Sequence, residues 1–272
     1  MCPRNYRNSL ERMYAMLLRQ LYLHRRSIPR NMEIFFWPVM ELMVWGFLTV
    51  YIQQIAATDL SRTIVFLIGA MIFWDILYRA QQGISIPLME ELWTRNLTNL
   101  LVTPLRIWEW VGAMFLYGFL KITVTILFLA LVAFLLYHFN LGMFGFALVP
   151  FVFNLLFFGW SVGIVTAGLL IWWGYSAEAL IWGIPFFLQP VSAVFYPLDI
   201  LPRWLAVIGA VLPSTYIFEG MRSVVKTGTV SSHTLVLSTV LNGIYFFAAV
   251  CFFVVMLRLS RKHGRLAKLG QD

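Results

Sequence analysis

The hydrophobic positions of the chain fall into long runs separated by short polar stretches. Five of these runs are continuous or carry only one or two charges, and they cover residues 34–51, 63–77, 107–137, 144–173 and 235–257. An apolar helix needs about 20 residues to cross the hydrocarbon core of a bilayer. The pattern therefore predicts five membrane-spanning helices, of which 107–137 is long enough to tilt or to project from the bilayer.

A sixth apolar region, residues 179–217, has a different pattern because prolines interrupt it. Its prolines are Pro185, Pro190, Pro197, Pro202 and Pro213. Proline bends or ends a helix, and broken backbone at membrane depth is tolerated only inside protein or beside a water-filled cavity. The pattern predicts a span over 179–194, followed by a re-entrant region over 197–222 that returns to its own side of the membrane.

The first 33 residues alternate arginines with apolar side chains. The arginines are Arg4, Arg7, Arg12, Arg19, Arg25, Arg26 and Arg30. The apolar positions between them recur at spacings of three and four, which is typical of an amphipathic helix that lies in the membrane interface. A solvated basic tail is the alternative interpretation. A secretory signal is not predicted, because about thirty residues precede the first apolar run, where a signal has only a short basic region.

The composition indicates a membrane protein and excludes a soluble domain. Hydrophobic residues make up 61% of the chain and charged residues 12%, against about 45–50% and about 25% in an average soluble domain. The net charge is +8. In a membrane protein an excess of Lys and Arg indicates topology and contact with anionic headgroups, so nucleic acid is not a predicted partner.

The basic residues gather at both ends of the chain. Seven arginines precede the first span, and five Lys or Arg follow the last one. Because cytoplasmic segments carry the excess of Lys and Arg, both termini are predicted to be cytoplasmic, which requires an even number of spans. We predict an all-α membrane protein with an interfacial segment 1–33, six spans within 34–257 and a basic tail 258–272. Its loops place Arg79, Arg95 and Arg106 inside and Arg62, Arg203, Arg222 and Lys226 outside.

The segment between the second and third spans predicts a further helix, over residues 88–103. Pro87 and Pro104 bracket it. Leucines mark one face and polar side chains the other; the residues concerned include Glu90, Glu91, Leu92, Arg95, Leu97 and Leu100. An amphipathic helix of this kind lies on the bilayer or docks in a groove of a partner protein, and both alternatives stay open.

Two stretches carry a resemblance to a known family. LWTRNLTNLLVTPLRIWEWVGA, residues 92–113, resembles the cytoplasmic segment of type-2 ABC exporter permeases, in which an L-x-x-L-L-V-T-P phrase precedes the third span. FFLQPVSAVFYPLDILPRWLAVIGAVLPSTYIFEGMR, residues 186–222, resembles the extracellular element of that family. Its matching positions are Tyr196, Pro197, Pro202, Trp204, Pro213, Glu219 and Arg222. One departure is Gln189, where relatives often have a small residue.

The resemblance implies a transmembrane export subunit. Such a protein works as a homodimer with two copies of a separate ABC ATPase in the bacterial inner membrane, and it moves a lipid-linked polysaccharide, a lipid or a hydrophobic drug. By the same resemblance the segment 88–103 is a coupling helix that contacts the ATPase, and the elements from Ala179 to Arg222 help to shape an outer gate.

The chain carries no sequence signature of an enzyme. A P-loop needs GxxxxGK[ST], and the Lys226–Thr227 pair is preceded by Val225 instead of Gly. The four histidines are scattered, and there is no HExxH or GxSxG, so neither a metal site nor a catalytic role is predicted. We therefore expect ATP and Mg to bind in a partner chain and no cofactor in this one.

Charged residues inside the apolar runs are the remaining functional candidates. They are Glu41, Asp75 and Lys121. Ionisable groups at membrane depth are costly and usually functional. Asp75 is expected to reach the interface, whereas Glu41 and Lys121 lie deeper and either form structural pairs or contact substrate. An ATP-independent carrier or channel that uses these three side chains is the alternative function.

Overall fold

The computed structural model describes residues 4–56 and 61–264, and these residues form helices and connecting turns without any strand. The α-helices are α1 (Arg4–Arg25), α2 (Ile28–Ala56), α3 (Ser61–Trp93), α4 (Leu97–Val102), α5 (Ile107–Tyr137), α6 (Leu148–Trp173), α7 (Glu178–Val191), α8 (Arg203–Val211), α9 (Pro213–Thr227) and α10 (Ser232–Lys262). Short 3-10 turns cover Leu141–Ala147, Gly174–Ala177 and Leu198–Ile200. The predicted all-α class is confirmed.

Four helical segments in the described ranges are long and apolar enough to cross a membrane. They are Ile28–Ile52, Ile107–Tyr137, Leu141–Val191 and Ser232–Lys262. A fifth is counted if α8 and α9, which meet at 96°, form one broken span. These helices are compatible with a protein that crosses a membrane several times, and the predicted number of six spans is not confirmed.

The longest of these segments contains a break. Gly174 has a φ of 60° at the end of α6, outside the helical region, and a 3-10 turn then leads into α7. The predicted spans 144–173 and 179–194 thus correspond in their bounds to α6 and α7. The predicted span 63–77 is the first half of α3, which continues for sixteen further residues to Trp93.

The central element of the bundle is α3. Nearly every side chain from Phe66 to Leu92 is buried, and the helix packs against α6, α5 and α2. Glycines permit this packing: a Cβ atom on Gly159 of α6 would lie 2.5 Å from the carbonyl oxygen of Leu77. Gly163 meets the backbone of Gln81 in the same way. These two glycines allow α3 and α6 to approach closely.

The helix predicted over 88–103 is not one helix. Pro87 lies inside α3 without ending it, and residues 88–93 complete that helix. The chain then leaves helical geometry at Arg95, whose φ is 53°, and α4 follows as a separate helix of six residues. The physical reason is burial: a helix surrounded by protein keeps its path through a proline, because packing contacts offset the one lost hydrogen bond.

The bundle has two ends, which differ in composition. One end, called the α1 end, contains α1, α4, the start of α5 and the end of α10; there Ser260 Oγ donates to the carbonyl of Ile171 over 3.0 Å. The other, called the α8 end, contains α8 and the starts of α9 and α10; there Ser238 Oγ donates to the carbonyl of Pro213 over 3.0 Å. The sequence-predicted sites divide between these ends and the middle of the bundle.

Candidate functional site

At the α1 end, one carboxylate holds α1 to the start of α5. Glu109 is fully buried and accepts from Ser9 Oγ at 2.6 Å and from Arg12 Nε at 2.8 Å. The backbone N–H of Arg106 donates to the same carboxylate at 2.9 Å, which caps α5. These contacts with Glu109 raise the pKa of the Arg12 guanidinium. Charged groups that are buried in this way stabilise a structure only when they are fully paired, as Glu109 is.

The C-terminal end of α1 is anchored further along α5. His24 Nδ1 lies 3.0 Å from Tyr117 Oη, and the two rings meet edge to face. Burial lowers the pKa of His24, and the positive charge of Lys121 lowers it further. Met16 and Leu17 of α1 are buried against the bundle, and α1 packs on α5.

Part of the predicted apolar face of α1 remains exposed. Leu10, Tyr14 and Tyr22 are each about 60% exposed or more. The arginines Arg12 and Arg19, which the sequence pattern assigned to a polar face, are instead paired within the chain. This division of α1 into a packed side and an exposed apolar side fits a helix at a membrane interface.

The predicted coupling carboxylates are engaged inside the chain. Glu91 is buried, pairs with Arg19 and accepts from Asn96 Nδ2 at 2.6 Å. Glu90 pairs with Arg30 at 2.8 Å. Neither carboxylate is a free contact for a partner protein, so both position the end of α3 and the turn into α4.

The turn from the end of α3 through α4, residues 93–102, is called the α3–α4 corner. Most of the side chains that it exposes were not predicted from the sequence as contacts for a partner. Leu92 is 1% exposed and Leu100 half-buried, whereas Val102 is 81% exposed and Trp93 51%. Arg95 is also exposed, and the side chain of Leu97 lies outside the described residues. Val102 is exposed because the break at Arg95 turns α4 relative to α3. No glycine or proline next to Arg95 signals that break in the sequence.

The middle of the bundle contains two buried ion pairs. Asp75 Oδ2 accepts from Arg79 Nε at 2.6 Å, one turn along α3. Lys121 Nζ lies 2.8 Å from a carboxylate oxygen of Glu33 on α2. The expectation that Asp75 reaches an interface is wrong, because Asp75 is only 2% exposed. Arg79, predicted for a cytoplasmic loop, is equally buried inside α3.

Glu41, the third charge within the apolar runs, has no such partner among the described residues. Among the residues that the structure describes, none forms an ion pair or hydrogen bond with the Glu41 carboxylate. Glu41 instead lines a cavity of about 570 Å³ between α2, α3 and α7. The sequence identifies all three charges but not their partners. The structure shows that Asp75 and Lys121 are paired, whereas Glu41 has no partner among the described residues.

At the α8 end, Arg222 clamps the turn that follows α7. Its Nη2 donates to the carbonyls of Tyr196 at 2.6 Å, Val194 at 3.2 Å and Ala193. Its guanidinium also pairs with Glu219 at 2.9 Å and lies 4.6 Å above the ring of Phe66.

The other predicted gate residues extend this turn. Glu219 accepts from the backbone N–H of Leu198 at 2.9 Å, and Tyr196 Oη donates to the carbonyl of Pro190 at 2.8 Å. Pro197 and Pro202 flank the 3-10 turn, and Pro213 begins α9. Trp204 is 66% exposed on α8. The structure thus brings together the predicted Tyr196, Glu219 and Arg222, and leaves Trp204 outside their network.

The described residues include no group of three or more His, Cys, Asp or Glu side chains that could hold a metal ion. Compared with known proteins, the chain matches no protein-family model and no curated protein sequence. The candidate sites are therefore interpreted from their geometry and from the sequence phrases that they contain.

Proposed function

We propose that the chain is the membrane-spanning permease subunit of an ABC exporter. It moves an amphiphilic substrate, such as a lipid-linked polysaccharide, a lipid or a hydrophobic drug, out of the cytoplasm. It works as a homodimer with two copies of a separate ATPase, which bind ATP and Mg. The chain itself is a transport subunit and not an enzyme.

The observation that carries this proposal is the α3–α4 corner at the α1 end. The short helix α4 of this corner exposes apolar side chains, and Val102 is 81% exposed. The helix begins the L-x-x-L-L-V-T-P phrase of the sequence. Exposed apolar side chains on a charged, ion-paired surface are typical of a site that docks another protein. The ATPase partner is the proposed occupant of this surface, and a groove of that partner receives α4.

Charge distribution supports the orientation. Basic residues at the α1 end include Arg12, Arg19, Arg25, Arg26, Arg30, Arg95, Arg106, Arg258, Arg261 and Lys262, and those at the α8 end include Arg203, Arg222 and Lys226. Cytoplasmic segments carry the excess of Lys and Arg. The α1 end therefore faces the cytoplasm of a bacterial cell, with both termini on that side and the α8 end outside.

The contacts behind the corner explain how a partner's movement reaches the membrane. Asn96 donates to Glu91, and Tyr175 Oη donates to the carbonyl of Leu92 at 2.6 Å. These bonds connect α4 to the end of α3 and to the turn after α6. Since α3 packs against α6, α5 and α2, a shift of its end is passed to these neighbours as a rigid displacement.

The test is a photo-crosslink from the corner. A benzophenone amino acid replaces Val102 in the cells that produce the chain, and the control places it at Phe146, which is fully exposed at the α8 end. We expect Val102 to crosslink to a protein with a GxxxxGK[ST] motif and Phe146 not to. If no P-loop protein is crosslinked from Val102, or if it is crosslinked equally from Phe146, the proposal fails.

A second candidate function is an ATP-independent carrier or channel. It is favoured by one observation, the unpaired carboxylate of Glu41 beside a cavity in the middle of the bundle. Carriers use such groups to couple the movement of a proton or ion to that of a substrate. Asp75 and Lys121 are already paired, so this mechanism depends on Glu41. Transport that continues when ATP hydrolysis is blocked would favour it.

A further inference from the structure

The cavity between α2, α3 and α7 has the size and lining of a small-molecule site. Its volume of about 570 Å³ falls within the range of roughly 300–1,000 Å³ that ligand pockets occupy. Six aromatic side chains line it: Trp37, Trp45, Trp74, Tyr78, Trp182 and Phe186. The polar groups among its walls are few and include Gln82 and Gln189.

The charges around the cavity leave one negative charge uncompensated. Glu33 and Arg79 line it, and each is neutralised by a partner, Lys121 at 2.8 Å and Asp75 at 2.6 Å. Glu41 lines it without a partner among the described residues. An unpaired carboxylate in an apolar setting is costly, and a cation placed beside it in the cavity would offset part of that cost.

The aromatic walls favour one kind of cation. A small, strongly hydrated ion would lose its water shell against rings that cannot replace it. An organic cation with a delocalised or shielded charge loses less hydration, and it interacts favourably with the faces of Trp and Tyr. An anion of the same shape would be repelled by Glu41.

We propose that this cavity binds an amphiphilic organic cation, with Glu41 opposite the positive charge and the aromatic side chains around its apolar groups. If the cation is also cargo, that role rests on the proposed export function. The binding itself needs no ATPase, so the two proposals are tested separately. Gln189, the position at which the sequence departs from the family pattern, is part of the cavity wall.

The test compares two ions of the same shape and opposite charge. Purified full-length chain in detergent is incubated with tritiated tetraphenylphosphonium or, in separate samples, with tritiated tetraphenylborate, and the unlabelled form of the same ion is added as competitor. We expect displaceable binding of the phosphonium and none of the borate. This comparison uses the unaltered protein, so its outcome does not depend on the folding of a variant.

Two matched variants then locate the charge. Glu41→Gln removes the carboxylate of the cavity, and we expect it to weaken phosphonium binding by about ten-fold or more. Glu178→Gln removes a carboxylate from α7 outside the cavity, and we expect unchanged affinity. Circular dichroism and the thermal unfolding midpoint show whether both variants are folded.

Three results would overturn the proposal: no displaceable binding of the phosphonium, displaceable binding of the borate as tight as that of the phosphonium, or a folded Glu41→Gln variant with wild-type affinity. If the phosphonium does not bind but Val102 crosslinks to a P-loop ATPase, the chain is an exporter of another class of substrate. If the phosphonium binds and no ATPase is found, the cation site belongs to a carrier.

Discussion

Glu109, Glu33 and Glu41 are three carboxylates that differ in what surrounds them. Glu109 has three donors, Glu33 has the ammonium of Lys121, and Glu41 faces a cavity. The sequence predicted that Glu41 and Lys121 lie deep but could not supply their partners. Glu33 belongs to the segment assigned to the interface, and its contact with Lys121 depends on how far α2 is inserted between α3 and α5. Which charged side chains form ion pairs depends on how the helices are placed, and a single sequence does not show that placement.

The substitution Glu109→Gln should release the first half of α1. The amide nitrogen of the new side chain would face the guanidinium of Arg12 as a second donor, and the buried ion pair would be lost. We expect a loss of about 1.5–3 kcal/mol in the docking of α1, measured as faster hydrogen exchange of its backbone amides. Glu178→Gln, with the same change of charge on α7, serves as the control. Unchanged exchange in α1 would show that Glu109 is not its anchor.

At the scale of elements, α3 is held by its contact with α6. The helices approach so closely at Gly159 that an added Cβ would lie 2.5 Å from both the Leu77 carbonyl oxygen and the Ala80 Cβ. Two backbones in contact leave no flexible side chain to move aside. The fit of the whole bundle around its central helix therefore depends on a hydrogen atom at this position.

The substitution Gly159→Ala should destabilise the bundle by about 1–3 kcal/mol, because α3 and α6 must separate to admit the methyl group. The matched control is Gly243→Ala in α10, where nothing lies within 4 Å of the added Cβ and the better helix propensity of alanine should stabilise by up to about 1 kcal/mol. Thermal unfolding of the purified variants measures both effects. Equal midpoints for the two variants would contradict the proposed helix contact.

Element boundaries were predictable where composition alone decides them. The predicted span 107–137 coincides with α5, and the predicted re-entrant region contains α8 and most of α9. Prediction failed at Pro87, where burial overrides a local helix breaker, and at Arg95, where a left-handed residue breaks the helix without a glycine or proline to signal it. Both failures affect the proposed coupling segment, whose exposed residues could therefore not be chosen from the sequence.

At the scale of the whole molecule, two estimates of the number of membrane crossings can be compared. One follows from the distribution of Lys and Arg, and the other from the helices of the structure. The predicted topology needs an even number of crossings, whereas the described residues contain four, or five if α8 and α9 form one broken span. The two counts meet at six if α3 also crosses, if Leu141–Val191 crosses twice as α6 and α7, and if the α8–α9 pair returns to its own side. Under that arrangement Asp199 and Thr103 lie on opposite sides of the membrane.

Cysteine labelling decides this arrangement. Cys2 and Cys251 are first replaced by serine, and Asp199→Cys and Thr103→Cys are made separately, since both positions are exposed in the structure. A membrane-impermeant maleimide added to intact cells should label Asp199→Cys, and it should label Thr103→Cys only after the cells are permeabilised, because segments rich in Lys and Arg remain in the cytoplasm. The reverse pattern would place the α1 end outside, away from any cytoplasmic ATPase. Labelling of both positions in intact cells would mean that the α1 and α8 ends are not on opposite sides, and the re-entrant assignment of 197–222 would then be wrong.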